Sequence, residues 1–212
     1  MTNHEHEAWH SEVIPASTEN TLGALHNAHL LEHFYLAGGT GLALQFGHRL
    51  SLDLDFFATD HFNEEALLQC VQGLAGFALV TKAPYTLHAT VQSTKVSFLG
   101  YAYPVLFPTN RFLDVPVADP RDIACMKVSA IASRGTKRDF VDLYVSAKRF
   151  GLKEILKLFE RKYAQTHYSM IHILKSLTFF KDAEKDPMPH MLVTLDWETV
   201  KQFFLLETPR LL

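Results

Sequence analysis

Between Phe34 and Phe56 the hydrophobic pattern changes period twice around a pair of glycines, which fixes the order of secondary structure there. Phe34-Tyr35-Leu36-Ala37 is a short apolar run that reads as a buried strand. Gly38-Gly39-Thr40 follows as a tight turn. Residues 40–47 then predict a helix that buries Leu42, Leu44 and Phe46. Leu52-Asp53-Leu54-Asp55-Phe56 alternates with period two and reads as a second strand. Glycines at a helix start let a phosphate approach the backbone N–H groups and the positive end of the helix dipole, and Thr40 adds a hydroxyl. Asp53 and Asp55, at i and i+2 of one strand, share a face, with roots about 7 Å apart. Two carboxylates so placed suit one or two divalent cations. Mg²⁺ fits them best, since it keeps positions open for water and phosphate. Alone, the same Asp-x-Asp also describes two solvated acids on an edge strand. The segment is not a P-loop, because no Gly-Lys-Ser/Thr follows. Nor is it a dinucleotide fingerprint, because Gly39-Thr40-Gly41 lacks the third glycine.

The remaining composition is that of a globular chain. Of 212 residues, 48% are hydrophobic and 20% charged. This excludes a disordered, collagen-like or disulfide-framework protein and leaves one domain or two small ones. Two cysteines, Cys70 and Cys125, fit a reducing cytosol, and a cytoplasmic location is expected. The amino terminus, MTNHEHEAWHSE, has neither the basic nor the apolar region of a secretory signal. No apolar run approaches the ~18 residues of a membrane span, so no membrane partner is expected. The net charge of −3 conceals an asymmetry. Residues 1–120 carry 4 basic against 12 acidic side chains, and residues 121–165 carry 11 against 5. The basic stretch suggests either polyanion contact or a solvated helical surface.

Along the chain, apolar spacing predicts a helix over 19–33 and another over 64–72. Strands are expected at 78–81, 87–92, 95–103 and 112–117, with a hairpin turning at Ser93-Thr94. The character changes at Asp119-Pro120-Arg121-Asp122, a helix start with Asp at the N-cap and Pro at N1. That helix runs to about Arg134. Thr136-Lys137-Arg138-Asp139 repeats the start with capping-box spacing, and Gly151 stops the second helix. Segments 152–164, 168–181 and 196–206 predict further helices. The expected fold class is α+β. A mixed β-sheet core with flanking helices would span 1–118, followed by an all-helical carboxy-terminal half over 119–212.

The stretch FYLAGGTGLALQFGHRLSLDLDFF (34–57) resembles the nucleotidyltransferase signature of the DNA polymerase beta superfamily. More closely, it resembles the AbiEii/AbiGii-type toxin nucleotidyltransferases of abortive-infection and type IV toxin–antitoxin systems. A second block, Lys127 to Tyr144, is similar to that family's lysine-bearing helix followed by an Arg-Asp-x-x-Asp-Leu-Tyr helix. The resemblance covers about 30–180. It implies that Gly38, Gly39 and Thr40 touch a triphosphate, that Asp53 and Asp55 hold Mg²⁺ or Mn²⁺, and that Lys127 neutralises phosphate charge. Arg138, Asp139 and Asp142 would shape the site or the interface between the two halves. Lys127 and Arg134, seven apart, share a helix face. Read alone, Lys127 is a solvated cation and Arg138 with Asp142 an i, i+4 surface pair. Arg49 and Ser51 either orient Asp53, meet a phosphate or hold the turn. The implied activity is nucleotidyl transfer from a nucleoside triphosphate to an acceptor hydroxyl, on an RNA such as tRNA or else on a protein or small molecule, with a cognate antitoxin as a partner.

One departure from the superfamily stands out. A third carboxylate, the base for the attacking hydroxyl, is expected on the strand Lys95–Leu99, where this chain offers Ser97. A serine is no such base unaided, and Asp114 is a distant substitute. The alternative reading is therefore a degenerate nucleotide- or partner-binding protein. A third reading rests on histidine. His26, His29 and His33 share one face of the predicted helix at metal-chelating spacing, which also describes a partly exposed polar face. His4, His6 and His10 are expected in a mobile tail.

Overall fold

The computed structural model describes residues 8–211. Its elements run α1 (Ala16–Asn27), β1 (Tyr35–Leu36), α2 (Gly38–Phe46), β2 (Leu54–Ala58), α3 (Glu64–Val71), β3 (Ala78–Ala83), β4 (Thr86–Val91), β5 (Thr94–Gly100), β6 (Asn110–Phe112) and β7 (Val115–Val117). Five helices follow: α4 (Pro120–Ser133), α5 (Lys137–Phe150), α6 (Leu152–Lys162), α7 (Met170–Ser176) and α8 (Trp197–Glu207). The strands form one mixed seven-stranded sheet in the order β3-β4-β5-β2-β1-β7-β6. The β1–β7 and β2–β5 pairs are parallel, and the rest are antiparallel. The expected architecture, a mixed sheet with flanking helices and a helical carboxy-terminal half, is the one found.

Period-two alternation sorts the sheet into two faces. Leu54, Phe56, Leu87, Val91, Val96 and Phe98 are buried and pack with Leu22 and Leu25 of α1 in one apolar cluster. The intervening residues Asp55, Phe57, His88, Ser97 and Leu99 are half-buried on the opposite face. A second cluster joins α4, α5, α6, α7 and α8 through Phe140, Leu143, Ile155, Phe159, Leu174 and Phe204. Helix α2 lies between the two. It is apolar nearly all round, as a helix buried on all sides must be. Ala43 and Leu44 face the first cluster, while Leu42 and Phe46 meet Ala118, Ile123 and Met126.

Local chemistry accounts for the helix starts of the second half. The Asp119 carboxylate accepts from Arg121 N–H with Pro120 at N1, and the Thr136 hydroxyl accepts from Asp139 N–H.

Several boundaries differ from expectation. The helix expected over 19–33 ends at Asn27, and His29 sits in the left-handed region at φ 56°. Hence His26, His29 and His33 do not share a helix face. The β4–β5 turn falls one residue early, at Gln92-Ser93, because both residues accept the positive φ that a two-residue hairpin loop requires. The segment read as one strand over 112–117 is a hairpin, β6–β7, turning at Leu113-Asp114 for the same reason. Helix α7 is half the length read for 168–181. His10 is not in a loose tail, since its N–H donates to the Leu44 carbonyl at 2.9 Å. His4 and His6 lie outside the described residues. No helix among the described residues is long and apolar enough to cross a membrane.

Candidate active site

A cleft of about 500 Å³ opens between the polar face of the sheet and helices α4 and α5. Its walls include Gly38, Gly39, Thr40, Asp53, Asp55 and Lys127. Strand pairing builds its floor. Ala37 N–H donates to the Asp55 carbonyl at 3.0 Å, which sets the start of α2 beside the Asp55 side chain. The two glycines are required at this junction. Gly38 has φ +64°, and a Cβ there would lie 2.9 Å from Asp55 Oδ2. A Cβ on Gly39 would lie 2.3 Å from Arg49 Nη2. The α2 ladder opens with Gly41 N–H donating to Ala37 O, so the amides of Gly38, Gly39 and Thr40 precede its first rung.

Thr40 is buried, and its hydroxyl meets Ser51 Oγ at 2.7 Å and the Asp53 carbonyl. It therefore pins the backbone that presents the acids. Asp53 precedes β2 instead of lying within it, so Leu52 is solvent-exposed and falls outside the alternation expected of it. Both carboxylates still line the cleft.

Behind the cleft lies a buried ionic network. Asp142 is fully buried. It accepts from Arg49 Nε at 2.7 Å and Nη2 at 2.8 Å, meets His48 Nε2 at 2.9 Å and pairs with Lys127 Nζ at 2.7 Å. Asp139 takes Lys127 Nζ at 3.0 Å, Arg134 Nε at 2.9 Å and the Thr136 hydroxyl at 2.7 Å. Burial opposes ionisation of both acids, but Arg49, Lys127 and Arg134 outweigh it and hold both carboxyls well below the usual range. Burial likewise opposes the charge of Lys127, yet Asp142 and Asp139 raise its pKa. His48 goes the other way: burial lowers its pKa more than Asp142 restores it. Its Nδ1 has no hydrogen-bond partner.

The surface pair expected between Arg138 and Asp142 does not form. Asp142 turns inward to Arg49, and Arg138 reaches across the cleft mouth to Asp53 at 3.8 Å. Lys127 is likewise no solvated cation, since its chain is buried and two of its three donors meet carboxylates. Arg134 and Arg138 are the exposed cations of the lining. Asp114 sits in the β6–β7 turn, away from the cleft. Ser97 is directly opposite Asp55 in the parallel register.

Sequence reasoning missed His88, which pairs with Ser97 across β4–β5 and lines the cleft. Its signal was faint, a polar residue between buried Leu87 and Ala89. It also missed His48. Among the described residues no group of three or more His, Cys, Asp or Glu side chains is arranged to hold a metal. This leaves the histidine-scaffold reading without a site.

The chain matches the family model of the AbiEii toxin, a nucleotidyl transferase of type IV toxin–antitoxin systems, over residues 21–111 and 100–210. It is 38% identical over 177 residues to an uncharacterized protein of Aquifex aeolicus, covering 81% of this chain and 84% of that one. Two solved structures share the fold. JHP933 from Helicobacter pylori aligns with TM-score 0.51 and 18% identity over 95% of this chain and 94% of its own. MenT4, a nucleotidyltransferase toxin from Mycobacterium tuberculosis, aligns with TM-score 0.54 and 16% identity over 92% and 86%.

Proposed function

The chain belongs to the AbiEii nucleotidyl transferase toxin family, and from that premise we propose that it transfers a nucleotide from a nucleoside triphosphate to an acceptor hydroxyl in the cleft between sheet and helices. The observation that carries this reading is the placement of Asp53 and Asp55 on the same cleft wall as the first amides of α2. The amides of Gly38, Gly39 and Thr40 are suited to phosphate oxygens, as helix starts are generally. Asp53 and Asp55 are hard oxygen donors and would hold Mg²⁺ or Mn²⁺. When bound, that ion neutralises phosphate charge and aligns the displacement.

The remaining roles follow from charge and exposure. Lys127 has one donor left after Asp139 and Asp142, and that donor is available to a phosphate oxygen. Arg134 and Arg138 supply exposed positive charge at the mouth. Arg138 sits against Asp53 and would move to the triphosphate when a divalent cation takes over that carboxylate. Arg49 and Ser51 hold the presenting loop. The preferred acceptor class is RNA, with tRNA as a candidate, which the basic stretch 121–165 would guide along its backbone. Part of that stretch's charge is internal, because Lys127, Lys137 and Lys162 are buried. A cognate antitoxin is the expected protein partner, and the cytoplasm the expected compartment.

A second reading is supported by Ser97, which stands opposite Asp55 where an acid would complete a catalytic trio. On that reading the protein binds a nucleotide without turnover. One experiment separates the two. The protein is incubated with Mg²⁺, α-labelled nucleoside triphosphates and total bacterial RNA, beside an Asp53→Asn/Asp55→Asn variant. Label on RNA from the wild type alone supports transfer. Nucleotide bound with no label transferred supports the binding-only reading.

A further inference from the structure

Three strands contribute one polar row to the cleft floor. Asp55 on β2 pairs with Ser97 on β5, and Ser97 pairs with His88 on β4. Neighbouring strands lie ~4.8 Å apart, so His88 is rooted two strands from Asp55. Its ring meets the intervening strand, where His88 Nδ1 lies 3.1 Å from Ser97 Oγ. The ring is half-buried and lines the cleft. Among the described residues it is the sole imidazole in that lining.

Nucleotidyl transfer requires a group that takes a proton from the attacking hydroxyl. The lining offers few. Asp139 is held by Lys127, Arg134 and Thr136, with its carboxyl well below the usual range. Asp53 and Asp55 are assigned to the cation. Lys127, Arg49, Arg134 and Arg138 carry positive charge and have no acceptor to give. Ser97 has no basic atom of its own. Imidazole does. With the Nδ1 proton donated to Ser97 Oγ, the Nε2 lone pair is left without a partner among the described residues.

Resting on the transferase reading above, we propose that His88, oriented by Ser97, is the general base of the reaction. The acceptor oxygen forms a bond to the α-phosphorus, and its proton passes to His88 Nε2. The bond from the α-phosphorus to the bridging oxygen breaks, and pyrophosphate leaves with that electron pair. The imidazolium then returns its proton to water. Ser97 acts as a positioning residue that fixes the ring's tautomer and its orientation.

The test uses the full chain, α-labelled nucleoside triphosphates, Mg²⁺ and total bacterial RNA, with triphosphate affinity measured separately by calorimetry. His88→Ala is expected to lower the transfer rate ~10²–10⁴-fold while leaving triphosphate affinity within about threefold of wild type. Added imidazole should restore part of that rate to His88→Ala and none to wild type. His88→Gln fills the space and keeps a polar contact to Ser97, so it should be as slow as His88→Ala. A His88→Gln protein that transfers at the wild-type rate overturns the assignment and leaves nucleotidyl transfer standing. A wild type that transfers no label overturns the transferase reading and this assignment together.

Discussion

Asp142 shows why single residues matter so much in this cleft. It is fully buried yet ionised, because two donors of Arg49, the His48 ring and the Lys127 ammonium surround it. Removing one member of such a group strands the others without a counter-charge, which typically costs 3–5 kcal/mol. Asp142→Asn is therefore expected to lower the unfolding free energy by about 3–5 kcal/mol in urea denaturation. A loss under about 1 kcal/mol would mean that the pairing is not needed. His48 adds a pH dependence of definite sign. Its unfolded imidazole takes up a proton near pH ~6.5, while burial lowers the folded pKa below that value. Between the two values the unfolded state binds more protons, so stability falls as pH falls through that window. His48→Gln keeps an N–H toward Asp142 and removes the titration. The variant should lose less melting temperature than wild type between about pH 7.5 and pH 5.5. Equal losses would contradict this role.

At the scale of elements, the glycine turn is a packing requirement before it is a phosphate site. The loop between α2 and β2 is held from both sides. Ser51 N–H donates to Val13 O, Leu50 N–H donates to His190 O, and Leu192 N–H donates to His48 O, each at 2.9 Å. So held, the loop cannot retreat when α2 gains bulk, and Arg49 lies against the start of that helix. Gly39→Ala should push the guanidinium off Asp142 and cost more than about 2 kcal/mol, a value in the upper range for single substitutions. Chemical denaturation checks it, and an unchanged midpoint would refute it. Much at this scale was legible in sequence, because it is local. Caps at Asp119 and Thr136, the turn at Gly38 and the alternation around Asp55 are all written within a few residues. The overlong helix through His33 failed because apolar spacing continues past Asn27 while the backbone turns at His29.

At the scale of the molecule, the site is assembled from parts that are distant in the chain. Asp142 meets Arg49 across 93 residues, and no local pattern announces that partnership. The spacing of Arg138 and Asp142 suggested a surface pair instead. His88 was invisible for a similar reason, since only the strand register brings it beside Ser97 and into the cleft lining. That Asp53, Asp55, the glycines and Lys127 line one cleft was legible because a resemblance spanning two blocks named them together.

On the proposed reading, nucleotide and cation bind as one unit, between the first turn of α2 and the two carboxylates. Calorimetric titration of a nucleoside triphosphate, with and without Mg²⁺, into wild type and Asp53→Asn/Asp55→Asn probes that unit. Wild type should bind at least tenfold more tightly with Mg²⁺ than without it, a difference of about 1.4 kcal/mol. The variant, folded by circular dichroism, should show no such gain. Equal Mg²⁺-dependent binding by both proteins would contradict the assignment of Asp53 and Asp55 and move the triphosphate elsewhere.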